Sequence, residues 1–128
     1  MLQGRCLCGG VRYEVTGEPF LMAHCHCTRC QHSGGTSNGT VVCVKPEDYQ
    51  IVQGEELLNR YQEGEYTDRV SCSRCGGSLY HGEIFIEAGT LTVDPGVRPT
   101  MHIMVDHKAP WHEITDSLPQ HGEFPPSD

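Results

Sequence analysis

The chain has 128 residues, including 15 Gly and 8 Pro, with 17 Asp and Glu against nine Lys and Arg and a formal net charge of −8. That length suits one domain, the glycine and proline content excludes a helical bundle, and the acidic balance argues against nucleic acid as a partner, which calls for a basic footprint. No stretch reaches the roughly 20 apolar residues that span a bilayer, and the opening Met1-Leu2-Gln3-Gly4-Arg5 lacks the basic and apolar regions of a secretory signal. The reading is a soluble, cytoplasmic protein with neither a nucleic-acid nor a membrane partner.

Along the chain, Cys6-Leu7-Cys8-Gly9-Gly10 opens with a cysteine pair followed by two glycines. Residues 11–15 alternate apolar and polar and stop at Gly17 and Pro19, which predicts a strand. Cys25-His26-Cys27-Thr28-Arg29-Cys30 follows, and the residues after Cys30 begin a helical turn ended by Gly34-Gly35. Strands are expected over 40–44, which is β-branched and ends before Pro46, and over 49–52. The stretch 55–61 suits a short turn of helix bracketed by Gly54 and Gly64, and Glu63-Gly64-Glu65 reads as a solvated loop.

The second half carries Cys72-Ser73-Arg74-Cys75-Gly76-Gly77, an echo of the first cysteine pair. Residues 84–88 and 90–93 are expected to form a hairpin turning at Gly89, followed by a turn at Asp94-Pro95-Gly96. A last strand is expected over 101–105, with His102 on it as a structural or surface residue and Trp111 beyond it as a core anchor. The sum is a mainly β fold in a single domain over 1–119, with 120–128, including Pro125-Pro126, as a flexible tail.

The eight cysteines decide the chemistry. Three crowd into 25–30 and two further pairs are equally close, which strains disulfides but suits a metal. Each Cys-Cys-Gly-Gly run reads as a knuckle. The chain must turn sharply for both sulfurs to converge, and glycine permits positive φ and lets backbone N–H groups approach the thiolates. Two knuckles supply Cys6, Cys8, Cys72 and Cys75, a closed tetrahedral set for a structural zinc that ties the start of the chain to its middle. Iron also binds four thiolates, but zinc is the commoner occupant of such sites.

Cys25, Cys27 and Cys30 offer only three thiolates, leaving a fourth position for water or substrate in a catalytic zinc site. The other reading is closure by His24, His26 or His32, any of which is near enough in sequence; His24 and His26 could instead orient the site. Three thiolates make zinc electron-rich, a poor activator of water but a good acceptor of a fourth sulfur, so thiol chemistry is favoured over hydrolysis. Cys43, in an apolar run, reads as a small core residue.

At these motifs the sequence resembles the glutathione-dependent formaldehyde-activating enzyme (GFA) family, which also includes centromere protein V. The resemblance runs from Gly4-Arg5-Cys6-Leu7-Cys8-Gly9-Gly10 through the three-cysteine loop and the second knuckle to His102-Ile103-Met104-Val105-Asp106-His107-Lys108-Ala109-Pro110-Trp111. It implies an Mss4-like fold of small antiparallel sheets around the knuckle pair. It implies two Zn2+, one structural at Cys6, Cys8, Cys72 and Cys75 and one catalytic at Cys25, Cys27 and Cys30. It also implies a carbon–sulfur lyase that joins glutathione and formaldehyde as S-(hydroxymethyl)glutathione, or a related thiol and aldehyde.

Glutathione carries two carboxylates, and Arg29 is the basic residue nearest the open site in sequence. His26 or a water is the candidate for moving the proton of the adduct. The competing function is a non-catalytic, zinc-structured binding module. A methionine sulfoxide reductase would need a reactive spare cysteine, and Cys43 alone remains.

Overall fold

The computed structural model describes residues 1–62, 64–65 and 68–126. Its strands, in chain order, are β1 (Leu2–Arg5), β2 (Arg12–Val15), β3 (Leu21–Cys25), β4 (Gly39–Cys43), β5 (Tyr49–Gln53), β6 (Leu58–Gln62), β7 (Asp68–Cys72), β8 (Ser78–His81), β9 (Phe85–Glu87) and β10 (His102–Ile103). One α-helix, α1 (Thr28–Gly34), lies between β3 and β4. The strands form a three-stranded sheet, β1-β2-β5, and a seven-stranded sheet, β10-β3-β4-β9-β8-β7-β6. The mainly β, Mss4-like expectation holds. All pairs are antiparallel except β10 with β3, where His102 lies opposite His24 and Ile103 opposite Cys25.

The larger core draws on both sheets: Val11, Tyr13 and Val15 meet Val42, Val70, Leu79 and Ile86, all essentially inaccessible to water. The alternation read in 11–15 is what places Tyr13 and Val15 on one buried face. A second, smaller cluster contains Cys25, Cys27, Cys30, Ile103 and Met104.

Several expectations need correction. The 84–93 hairpin does not form. β9 pairs with β4 and β8, and the chain after it makes a 3-10 turn at Ala88–Thr90 before Leu91 bridges Gly4 of the other sheet. Gly89 therefore serves a crossing between sheets. Only Glu55–Leu57 is helical, as a 3-10 turn, and the rest of that stretch becomes β6. Trp111 is 71% exposed and anchors no core. Asp94 does hold its turn, accepting from the Gly96 N–H at 2.8 Å.

The solvated loop expected at 63–65 includes Glu63, which lies outside the described residues, as do the last two residues of the tail expected over 120–128. Backbone hydrogen bonds join His102 to Pro119, just before that tail, and tie the tail itself to the chain around β10: His102 to His121, Met104 to Glu123, Val105 to His121 and Asp106 to Gly122. The segment lies alongside β10.

Candidate metal centres and the adjoining cavities

Each knuckle is the turn of a hairpin. Cys6 to Gly10 joins β1 to β2, and Cys72 to Gly77 joins β7 to β8. Gly9 and Gly76 both have φ of 76°, the left-handed conformation that the sharp reversal demands and that glycine adopts without penalty. At the first knuckle, the Gly10 N–H donates to Cys8 Sγ at 3.4 Å and the Val11 N–H to Cys6 Sγ at 3.3 Å. A Cβ on Gly77 would crowd the Leu7 nitrogen and the Cys75 sulfur, so that glycine is needed to let the two turns meet.

The four thiols suit a metal ion. A zinc–sulfur bond of about 2.3 Å gives a tetrahedron with edges of roughly 3.8 Å. Cys6 and Cys8 Sγ are 3.7 Å apart, and Cys8 and Cys72 Sγ 3.9 Å. Arg74 Nε donates to Cys8 Sγ at 3.4 Å. This contact, with the Gly10 N–H, pulls the Cys8 thiol down to about 6. Arg74 was invisible as a participant in the sequence, although it sits inside the second knuckle.

The second cluster comes from a single stretch of chain. Cys25 ends β3, Cys27 caps α1 by accepting the Cys30 N–H at 3.3 Å, and Cys30 lies within the helix. All three are buried, with sulfurs within 4.8 Å of one another. The thiols compete for one negative charge. Contacts from Cys25 and Cys30 hold Cys27 down at about 2, whereas its neighbours and burial push Cys25 far above the ordinary thiol range. Three thiolates there require a cation, which is the chemistry of a metal-binding set.

Among the described residues, no histidine joins the three sulfurs. His24 shares a 2.8 Å hydrogen bond with the Thr40 hydroxyl. His26 Nε2 lies 2.8 Å from His102 Nδ1, and His102 Nε2 lies 3.0 Å from the Asp116 carboxylate. His26, His102 and Asp116 thus form one hydrogen-bonded chain that steadies the loop between Cys25 and Cys27. His26 is fully buried, and its Nδ1 has no partner.

One cavity is lined by the three cysteines and a second lies next to it, with Arg29 and Arg69 in the walls of both. The second, of ≈ 600 Å³, has a mixed wall, with Thr28, His32, Ser33, Ser71, Ser78 and Glu87 beside Tyr61, Val70 and Tyr80. The other, of ≈ 530 Å³, is lined by the three cysteines themselves, by Cys43 and by mainly apolar side chains. Arg69 Nη2 donates to Cys30 Sγ at 3.8 Å.

Sequence reading found Arg29 but missed Arg69, which reaches the site only because β7 crosses the sheet beside it. His81, opposite Arg69 in the β7–β8 register, lines the apolar cavity too. Burial holds its imidazole down at about 4, and its Nε2 is unpartnered, 3.8 Å from Glu87 Oε1. Burial raises the Cys43 thiol to about 11, which gives the spare cysteine no activation.

The chain is mainly β, with two cysteine clusters that could each hold a metal ion, one built from hairpin turns and one facing a cavity. The family model described as glutathione-dependent formaldehyde-activating enzyme matches residues 1–107, and the chain belongs to that enzyme family. A Halomonas elongata protein that bears the family's name is 28% identical over 127 residues, covering 89% of this chain and 81% of its own length. A Schizosaccharomyces pombe protein named an uncharacterized lyase is 24% identical over 78 residues, or 61% of this chain and 55% of that protein. A crystal structure of a Rhodobacter sphaeroides protein superposes with a TM-score of 0.59 at 25% identity, covering 76% of this chain and 91% of that one.

Proposed function

We propose that the protein is a zinc-dependent carbon–sulfur lyase that makes and breaks the adduct of a thiol and an aldehyde, with glutathione and formaldehyde as the pair the family name supplies. Cys6, Cys8, Cys72 and Cys75 would hold a structural zinc, and Cys25, Cys27 and Cys30 a catalytic one. The observation that carries this reading is the three-cysteine cluster, without a histidine among its ligand atoms, beside a cavity. Zinc bound there supplies a soft Lewis acid that favours the thiolate form of an incoming thiol.

The protein's own residues do the rest. Arg29 and Arg69 face both cavities and offer guanidinium donors to the carboxylates that glutathione carries. In the forward direction the sulfur bonds to the carbonyl carbon, the C=O π pair moves to oxygen, and that oxygen takes up the proton the thiol gave up. His81, which lines the cavity and whose Nε2 has no hydrogen-bond partner, is the candidate to relay that proton. His26 is committed to His102 and is the weaker candidate.

Zinc X-ray absorption on the purified protein tests the reading. Elemental analysis should find close to two zinc ions per chain, and glutathione should shift the spectrum toward more sulfur ligation. The shift should disappear in Cys27→Ser. A spectrum indifferent to every thiol tried would overturn the lyase in favour of a zinc-structured binding module.

A further inference from the structure

Formaldehyde is a poor match for the cavity beside the three cysteines. A molecule of one carbon and one oxygen needs little more than a water molecule's share of space, about 30 Å³. The cavity measures ≈ 530 Å³, in the range that much larger ligands occupy. Phe20, Val41, Phe85, Ile103, Met104 and Phe124 wall it, and a small hydrated aldehyde gains nothing from such surfaces.

Two further observations point the same way. Phe20 and Phe124 are 62% and 67% exposed, a pair of rings left in water until something covers them. Met104 has φ of 60°, a costly conformation for a non-glycine residue, of the kind that collects at ligand sites. Phe124 and Pro125 also lie beyond the residues that match the family, on the segment hydrogen bonded along β10. Part of the wall therefore comes from outside the residues that match the family.

We propose that the carbonyl compound handled here carries an apolar group, a ring or a chain of about six carbons, seated against Phe20, Phe85 and Phe124 with its carbonyl carbon at the three cysteines. The thiol's anionic body then extends from the cysteines past Arg29 and Arg69 toward the neighbouring mixed cavity that these two arginines share. This rests on the lyase reading above. The chemistry is unchanged: the C–S bond forms, the carbonyl oxygen takes the proton released by the thiol, and the reverse step returns thiol and aldehyde.

The test separates binding from catalysis. The unreactive alcohol 2-phenylethanol, titrated into the zinc-loaded protein, should produce saturable NMR shifts at Phe85, Ile103, Met104 and Phe124, while methanol should not. In steady-state assays with glutathione, kcat/KM for phenylacetaldehyde should exceed that for formaldehyde by about tenfold or more. Phe124→Ser should lower that ratio at least about fivefold, with zinc content and melting temperature confirming the fold. Phe20→Ser, on the rim, gives the same reading if the first variant fails to fold.

Absence of the shifts, a preference for formaldehyde, or a ratio unmoved by both variants would overturn the proposal. If zinc ignores every thiol, the lyase reading falls. The 2-phenylethanol shifts would then decide whether the cavity takes apolar ligands at all.

Discussion

The two cysteine clusters use the same ligand atom and differ in how the chain delivers it. At the knuckle pair, two hairpin turns, one from the start of the sequence and one from its middle, bring four sulfurs together, with glycine at the reversals and N–H donors on the sulfurs. At the other cluster, one strand end and one helical turn deliver three sulfurs from six consecutive residues. Closure needs two segments of chain, and a single short loop runs out of ligands while still facing a cavity. The first arrangement is a staple between distant hairpins, and the second is a site resting on structure held elsewhere. Their electrostatics agree. Cys8 is eased into its thiolate form by Arg74, whereas Cys25 and Cys27 must divide one charge between them until a cation arrives.

The largest expected effect separates staple from site. Structural zinc contributes on the order of 10 kcal/mol to folding, comparable to the whole stability of a domain. Cys75→Ser or Cys72→Ser should therefore abolish the cooperative thermal transition and the β-sheet circular dichroism. Cys27→Ser should retain both, with the melting temperature within about 5 °C of the parent and about one zinc ion fewer. Equal damage from the two classes of variant would erase the distinction.

A second comparison sets one arginine at each cluster. Arg69 donates to Cys30 and faces both cavities, while Arg74 donates to Cys8 away from either. A charged hydrogen bond to a substrate carboxylate contributes about 1.5–3 kcal/mol, so Arg69→Gln should weaken glutathione binding about 10- to 100-fold by calorimetry. Arg74→Gln should leave that affinity unchanged. Glutathione diethyl ester, its carboxylates masked, should bind the parent and Arg69→Gln alike. If the ester feels the Arg69 substitution as strongly as glutathione does, the arginine serves Cys30 rather than the substrate.

What could be read from the sequence follows the range of the interactions. Both cysteine clusters were legible because each ligand run is local: two or three cysteines within six residues, and glycines where the turn must reverse. The pairing of the two knuckles was legible from chemistry, since zinc wants four ligands. Arg69, His81 and Asp116 were not, because each acquires meaning only through sheet register or a contact from far along the chain. The 84–93 segment was misread for the same reason. Gly89 looks like a hairpin turn locally, but Thr90 is drawn away by its hydrogen bond to Tyr13 at 2.7 Å. Trp111 misled through its size, since a large aromatic is a core residue only if the fold leaves room for it.

The smallest effect concerns acid, and it should appear on the side of the three-cysteine cluster. His81 titrates near 6.5 when unfolded and is held at about 4 by burial in the fold. Between those values the unfolded chain takes up a proton that the folded one refuses, so stability present above pH 6.5 is lost as pH falls toward 4. Glu87 opposes this: burial raises its carboxyl, and protonating it as pH falls favours the fold. The shift of His81 alone corresponds to about 3 kcal/mol, and the opposing carboxyl makes the net loss smaller than that. His81→Gln removes the first contribution and keeps the second. Its melting temperature should therefore fall less than the parent's between pH 7 and pH 4, or rise, with protonation of the two cysteine clusters common to both proteins and cancelling in the difference. Parallel acid limbs in the two proteins would mean that His81 takes up its proton in place, by opening to water or by drawing on Glu87 as a partner. The neutral imidazole assigned to proton transfer at the cavity would then be lost with it.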